Sequence, residues 1–321
     1  MPEVQVAVSA AQKANAGTPS SVASASGSAP RLRWARAVAV TLRPKQWLKN
    51  VLVIGAAGAA GALGRDDVPV RVSLAFVAFC LLASGLYAIN DVRDAPEDRL
   101  HPVKSRRPVA AGELAPSAAL VLGVVLIAAG IALCAAIRPL LAVVGGGYVL
   151  LTLSYTLIWR HLLVFDVVAI AGGFVLRAVA GGVAAPVNLS RWFLLVVSFA
   201  AVFVASGKRW AELRRTEASA DGRRRVLALY TERRLRVIVT LTALGAFVAY
   251  CVWAFKIPSV HGVPWRPLSI APVAIALARY GVRVGAGDGE APEELLLRDP
   301  ILLAAGAAWV AVFALGVHAV G

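Results

Sequence analysis

The sequence predicts an all-α membrane protein, a polytopic bundle of about nine transmembrane helices. Of its 321 residues 59% are hydrophobic, and the mean hydropathy is +0.73. Soluble globular chains contain about 45–50% apolar residues. Here the apolar residues lie in runs close to the roughly 20 residues that cross a hydrocarbon core, and the charges lie between the runs. Soluble domains do not need so many uniformly apolar helices.

The chain divides into a polar tail and one membrane domain. Residues 1–35 are rich in Ala, Ser, Gly and Pro and contain no apolar run, which predicts a disordered tail and excludes a cleavable signal peptide. Residues 36–321 form the membrane domain. The candidate spans are 46–63, 70–89, 115–136, 139–157, 162–184, 192–207, 235–256, 267–283 and 301–319. The first is short and rich in glycine.

The basic residues predict the orientation of this domain. The net charge is +15, and all but seven of the 33 lysines and arginines lie in the N-terminal tail, in alternate loops or at the span ends beside them. The positive-inside rule makes that side cytoplasmic, with the N-terminus inside and the C-terminus outside. The long polar loops share this side, so we expect the chemistry there. Basic residues placed in this way indicate contact with membrane lipids or an anionic substrate, and not with nucleic acid.

An acidic motif, NDxxDxxxD, ends the second predicted span and begins at Asn90. Asp91, Asp94 and Asp98 are spaced i, i+3, i+7, so their carboxylates share one face of a helix. Oxygen ligands favour Mg²⁺, which binds substrate phosphates through one or two carboxylates. We predict that these four residues are catalytic and hold a diphosphate through Mg²⁺. Pro96 is expected to kink the helix and turn Asp98 away from the other acids.

Basic residues near this motif are candidate phosphate ligands. Lys104 and Arg107 follow it directly, and Lys208 and Arg209 end the sixth span on the same side. Lysine and arginine at such positions can bind phosphate oxygens.

Two further charged residues lie inside the fifth span. Asp166 is a carboxylate in a membrane segment, which makes it a functional candidate. Arg177 follows eleven residues later, three helical turns along the same face, where a structural contact and a functional role are both open.

Together these residues resemble the UbiA prenyltransferase superfamily, over most of the chain from about residue 40. The acidic motif matches the family's first aspartate-rich motif in full. Other segments are similar to its decaprenyl-phosphate phosphoribosyltransferase branch. They are RPKQWLKN with Lys45 and Lys49, HPVKSRRP at 101–108, Tyr155 with Arg160 in place of the branch's lysine, Gly207-Lys208-Arg209 and Pro292-Glu293-Glu294.

The resemblance implies a UbiA-like fold and a Mg²⁺-dependent enzyme of the bacterial inner membrane. It implies transfer of 5-phosphoribose from 5-phosphoribosyl 1-diphosphate to decaprenyl phosphate, with release of diphosphate, for synthesis of an arabinan cell-wall precursor. The implied substrate-binding residues are Lys45, Lys49, Lys104, Arg107, Tyr155, Arg160, Asp166, Lys208 and Arg209. The polyprenyl chain length and a homo-oligomeric state stay open.

Two other functions also stay open. An aromatic or haem-type prenyltransferase would use a prenyl diphosphate donor, but such enzymes carry a second motif, DxxxD, and here Asp166 is followed by Ile170. A transporter of an anionic solute would use Asp166, Arg177 and the glycine-rich spans. The acids cluster at a span end and not at the midplane, which counts against a transporter.

Overall fold

A computed structural model of the chain describes residues 30–159, 163–218, 231–256, 264–289 and 291–318. Every regular element in these ranges is helical, as predicted. The α-helices are α1 Pro30–Leu42, α2 Val51–Ala59, α3 Val68–Arg99, α4 Pro116–Ile137, α5 Pro139–Ser154, α6 Leu163–Ala184, α7 Arg191–Ala218, α8 Glu232–Phe255, α9 Trp265–Leu268, α10 Ile270–Gly285, α11 Pro292–Arg298 and α12 Pro300–His318. Two 3₁₀ helices, Pro44–Asn50 and Lys104–Arg106, and a π-helical turn, Tyr155–Trp159, lie between them.

A helix begins inside the segment 1–35 that was predicted as a tail. Helix α1 begins at Pro30, so residues 30–35 are helical, and residues 1–29 lie outside the described residues. Proline suits the first helical position because its fixed φ matches the helix and its missing N–H would have had no partner there.

Seven of the described helices are long and apolar enough to cross a membrane, or eight if the bent pair α11–α12 is one span. The predicted first span, 46–63, is not a long helix. Arg43 has left-handed backbone angles (φ 52°), the 3₁₀ helix Pro44–Asn50 follows, and α2 has only 9 residues. These two helices together rise about 27 Å. The chain therefore still passes from one end of the bundle to the other here, but as an interrupted segment.

The bundle has two ends that differ in chemistry. The acidic end contains the last turns of α3, where Arg43 contacts Asp91. The distal end contains the connections after α2 and α6, where Ala59 lies beside Leu189. Large apolar side chains such as Val121, Leu150 and Leu241 are exposed on the outer helix faces, as expected for a surface that meets lipid.

Glycines set the closest helix contacts. Gly85 of α3 and Gly123 of α4 face each other, because a Cβ added at Gly85 would lie 2.6 Å from the Gly123 carbonyl oxygen. A Cβ at Gly181 of α6 would lie 2.0 Å from the carbonyl oxygen of Val53 in α2. Small residues at such positions let helix backbones approach in a membrane.

We expect Gly181→Ala to destabilise the protein and Gly146→Ala not to. The added methyl at 181 meets backbone, which cannot move aside as a side chain can, and overpacking of this kind costs about 1–3 kcal/mol. At Gly146 nothing lies within 4 Å of an added Cβ, and alanine is the better helix former. The midpoint of thermal unfolding in detergent measures both. Equal midpoints for the two variants would contradict the α2–α6 packing.

Candidate active site

The length of α3 positions the acidic motif. Its 32 residues span about 48 Å, which exceeds the roughly 30 Å of a hydrocarbon core. The last turns therefore reach one end of the bundle, where the motif lies. Pro96 does not turn Asp98 away, because the helix continues through it to Arg99 and Asp98 is 4% exposed.

Two arginines join two of the acids. Asp91, 2% exposed, accepts a hydrogen bond from Arg43, and Arg107 Nη1 lies 3.5 Å from the same oxygen. The same Arg107 nitrogen donates to Asp98 Oδ2 at 2.6 Å. Arg107 therefore bridges Asp91 and Asp98. Both carboxylates face the same arginine, as expected from their spacing along the helix.

Asn90 and Asp94, the other two residues of the acidic motif, add their side-chain oxygens to those of Asp91 and Asp98. Asn90 Oδ1 is buried and receives no hydrogen bond in the described part of the chain. Asp94 is half-buried and has an interaction partner of its own. Among the described residues, no group of three His, Cys, Asp or Glu side chains is close enough to hold a metal ion, and Arg43 and Arg107 provide the positive charge at the acids. The donors are all oxygens, and the buried free oxygen of Asn90 adds one more, so their chemistry suits Mg²⁺.

The left-handed conformation of Arg43 turns the chain toward the acids. This residue separates α1 from the 3₁₀ helix, and its guanidinium also lies 4.8 Å from the ring centroid of Tyr87, one turn before Asp91. A residue other than glycine in this conformation is uncommon, and such strain clusters at functional sites.

A second charged cluster lies at the other end of the 3₁₀ helix. Glu293, 8% exposed, accepts a hydrogen bond of 2.5 Å from Gln46 Nε2, and its other oxygen lies 3.4 Å from Lys49 Nζ. Lys49 also donates to Gln46 Oε1 at 2.5 Å. Residues 46 and 49 share a side of the helix because a 3₁₀ helix has three residues per turn. Lys208 interacts electrostatically with both Lys49 and Glu293.

A fixed bend positions Glu293. Helices α11 and α12 meet at 85°, with Asp299 between them. Asp299 accepts hydrogen bonds from the backbone N–H of Ile301 at 3.0 Å and Leu302 at 3.2 Å, and forms an ion pair of 2.8 Å with Arg279 of α10. The carboxylate thus caps α12 and joins it to α10, which holds α11 and Glu293 in place.

The remaining predicted ligands divide into three groups. Arg209 is buried and donates to Glu212 at 2.5 Å, while Lys104 and Tyr155 are half-buried and have partners of their own. Lys45 is exposed, and with three residues per turn it does not share the side of the 3₁₀ helix that carries Gln46 and Lys49. Arg160 lies outside the described residues, and of Asp166 only the backbone, in α6, is described.

Arg177 belongs to a buried polar network and is not placed beside Asp166. Its Nε donates to Asn50 Oδ1 at 2.7 Å and its Nη2 to the Tyr148 hydroxyl at 2.8 Å, and the residue is 5% exposed. The Cα atoms of residues 166 and 177 are about 16 Å apart along the helix axis. Asn50 follows Lys49 directly, so this network anchors the end of the 3₁₀ helix inside the bundle.

The site is thus two clusters joined by one 3₁₀ helix, with Arg43 just before it and Lys49 near its end, and these two residues interact electrostatically. The model of the UbiA prenyltransferase family matches residues 51–304. The chain belongs to the UbiA prenyltransferase family. The match covers most of the described helices, including α3 with its acidic motif and α11 with Glu293.

Relatives and solved structures agree with this family membership. The chain is 43% identical over 283 residues to a decaprenyl-phosphate phosphoribosyltransferase of Corynebacterium glutamicum, a match that covers 86% of this chain and 85% of the relative. It is 38% identical over 289 residues to the enzyme of that name from Mycolicibacterium smegmatis, covering 86% and 91%. A UbiA homolog from Archaeoglobus fulgidus, solved bound to GPP and Mg²⁺, has the same fold, with a TM-score of 0.65, 18% identity and coverage of 88% and 99%.

Three site residues of this UbiA-family chain were not among the predicted ligands. Arg43 and Gln46 lie in the RPKQWLKN segment, whose lysines alone were selected as ligands. Glu293 lies in Pro292-Glu293-Glu294, a segment noted for its resemblance but given no role, more than 240 residues away along the chain. The signal for Arg43 was an arginine next to proline at a helix break. No local signal pairs Glu293 with Lys49, since only the folded chain brings them together.

Proposed function

We propose that the chain is a decaprenyl-phosphate phosphoribosyltransferase, which transfers 5-phosphoribose from 5-phosphoribosyl 1-diphosphate to decaprenyl phosphate and releases diphosphate. The observation that carries the proposal is the 43% identity to an enzyme of that name over 86% of this chain. The two charged clusters support it, because this donor carries phosphate at both ends of its sugar. A prenyl diphosphate carries phosphate at one end only.

At the acidic cluster, Asn90, Asp91, Asp94 and Asp98 would hold Mg²⁺ on the donor's diphosphate. The ion would supply Lewis-acid stabilisation of the departing charge. Arg43 and Arg107, which already lie against the carboxylates, are positioned to bind diphosphate oxygens. Breaking the bond between the anomeric carbon and the diphosphate oxygen releases diphosphate, and an oxygen of the lipid phosphate forms the new bond.

The second cluster would bind the donor's 5-phosphate through Lys49 and Lys208. Glu293 orients Lys49 before the donor binds, since its carboxylate lies 3.4 Å from the ammonium group. The acceptor is already an anion and needs no general base, so the enzyme's task is to align it with the anomeric carbon. The polyprenyl chain would lie along the apolar outer faces of the helices.

The donor is a water-soluble metabolite, so the acidic end would face the cytoplasm of the bacterial inner membrane. The basic residues support this orientation. Those at the distal end are few, namely Arg65, Arg71, Arg138, Arg191, Lys256 and Arg266. The N-terminal helix α1 lies at the acidic end, where Ala37 packs against Ala95. We propose that the N-terminus is inside and the C-terminus outside.

A donor competition tests the function. Purified protein in nanodiscs is given Mg²⁺ and either radiolabelled 5-phosphoribosyl 1-diphosphate with decaprenyl phosphate, or radiolabelled geranyl diphosphate with 4-hydroxybenzoate. We expect label in the lipid fraction from the first pair only, because only the phosphoribosyl donor fills both clusters. Transfer from the prenyl donor alone would overturn the proposal in favour of an aromatic prenyltransferase.

A further inference from the structure

The distal end of the bundle contains a cavity that the transferase reaction does not use. It has a volume of about 500 Å³ and lies between the connections that follow α2 and α6 and the ends of α8 and α9. Its polar lining includes Arg65, Asn188, Ser190 and Arg266, and its apolar lining includes Phe193 and Trp253. The acidic motif is at the opposite end of α3, so the two sites are separated by the thickness of the bundle.

The charge that lines this distal cavity is positive. Two arginines, Arg65 and Arg266, line it, and no acidic residue does so within the described ranges. Neither Arg65 nor Arg266 forms an ion pair in the described part of the molecule. Two acids follow Arg65 in the chain: Asp67 pairs with Arg71 at 2.5 Å, and neither Asp66 nor Asp67 lines the cavity. Two cations that converge on one cavity without a protein carboxylate repel each other and favour an anion between them.

The walls of the cavity suit an anion that carries an apolar part. Arg266 is half-buried, and its guanidinium lies 5.5 Å from the ring centroid of Phe313. Trp253 stacks on the same Phe313 ring, with centroids 5.6 Å apart. This aromatic wall orients Arg266 and gives the cavity an apolar surface, while Asn188 and Ser190 offer neutral hydrogen-bonding groups.

More cations flank the cavity at the same level. Arg191 and Lys256 both lie over the indole of Trp192, 5.7 Å and 4.8 Å from its ring centroid. Tryptophan, lysine and arginine in this arrangement are typical of the membrane–water interface. The cavity therefore lies where lipid headgroups lie, at the leaflet opposite the acidic end.

We infer that the distal cavity is a binding site for the phosphate group of an anionic phospholipid, with Arg65 and Arg266 as its ligands. A phosphodiester places its charge between the two guanidinium groups, and its glycerol and acyl carbons lie against Phe193 and Trp253. Phosphatidylcholine carries the same phosphate but adds a quaternary ammonium that the arginines repel. The bound lipid joins the chain segments that line the cavity and thereby stabilises the folded bundle.

The experiment measures thermal unfolding of the full chain in detergent during titration with phosphatidylglycerol, phosphatidylcholine or inorganic phosphate. For the wild type we expect a saturable rise of the unfolding midpoint with phosphatidylglycerol only. In Arg65→Gln/Arg266→Gln the concentration that gives half the maximal rise should increase at least about tenfold, because two charge-assisted contacts are lost. The control Arg236→Gln/Arg298→Gln removes the same charge from two exposed ion pairs, with Glu232 and Glu294, that do not line the cavity, and should titrate like the wild type.

The outcomes separate the sources of phosphate. Equal titrations for the wild type and the cavity double variant would overturn the inference, and so would a rise with inorganic phosphate that phosphatidylglycerol does not match. If the double variant fails to fold, the single variant Arg65→Gln provides the same comparison, since Arg65 is exposed and contributes little to packing. Because each titration measures lipid or phosphate binding through the unfolding midpoint, the result does not depend on the transferase reaction.

Discussion

Asp91→Asn is expected to reduce transfer by at least about a hundredfold. The substitution keeps the shape of the side chain but removes the negative charge from the acid that both Arg43 and Arg107 contact. That charge would hold Mg²⁺ against the donor's diphosphate, and one preorganised group that stabilises developing charge contributes about 10²–10³ in kcat. Initial rates of transfer at saturating donor measure the loss, with Asp67→Asn as the matched control.

A metal readout distinguishes lost catalysis from lost folding. Asp67 is an exposed acid at the start of α3, so its amide variant tests the same chemical change away from the site. Wild type and Asp67→Asn should show a rise in the unfolding midpoint with Mg²⁺ and donor together, and Asp91→Asn should not. Full activity of the wild type in EDTA, or of Asp91→Asn in Mg²⁺, would contradict the assignment of this acid to metal binding.

The sequence was sufficient for the features that depend on spacing within one helix. Residues 91 and 98 differ by two turns, so they share a face whatever the rest of the fold does, and Arg107 indeed contacts both. Pro96 misled the prediction because its missing N–H removes only the one helical hydrogen bond to the Val92 carbonyl, and the helix continues through it to Arg99. The long membrane spans could be predicted in the same way, because the length and hydropathy of each segment determine them locally.

Features that depend on distant segments could not be predicted. The first span was taken for a helix because its composition is apolar, whereas its interrupted form depends on Arg43 and on the anchoring of Asn50 by Arg177 from α6. The contact of Lys49 with Glu293 likewise needs the 85° bend after α11. In both cases the polar groups found partners more than 100 residues away, and no local pattern encodes such a pairing.

The two lysines of the 3₁₀ helix are expected to differ strongly as donor ligands, although the sequence predicted the same role for both. Lys49 is half-buried between Gln46 and Glu293 and interacts with Lys208, while Lys45 is exposed. If Lys49 binds the donor's 5-phosphate, Lys49→Met removes one partner of a desolvated ionic contact, which costs about 2–5 kcal/mol. This corresponds to roughly a 30-fold to several-thousand-fold rise in the donor's KM. Lys45→Met should raise it far less.

Steady-state kinetics with both substrates varied measure this difference. Binding energy lost from a part of the substrate that does not react appears mainly in KM, so we expect kcat and the KM for decaprenyl phosphate to change little. Lys49→Met also leaves the Glu293 carboxylate buried without its ammonium partner, and the uncompensated charge destabilises the fold. The double variant Lys49→Met/Glu293→Gln removes that charge and separates the two effects.

The double variant decides between a ligand and a structural ion pair. If Lys49 serves only to neutralise Glu293, the double variant recovers the donor KM of the wild type. If Lys49 binds the 5-phosphate, the double variant recovers the unfolding midpoint but keeps the raised KM, because the amide at 293 supplies no positive charge to the donor. The decisive comparison is therefore between the unfolding midpoint and the donor KM of the double variant. A double variant with both wild-type stability and wild-type donor KM would remove the second cluster from the donor site and leave only the acidic cluster to bind phosphate.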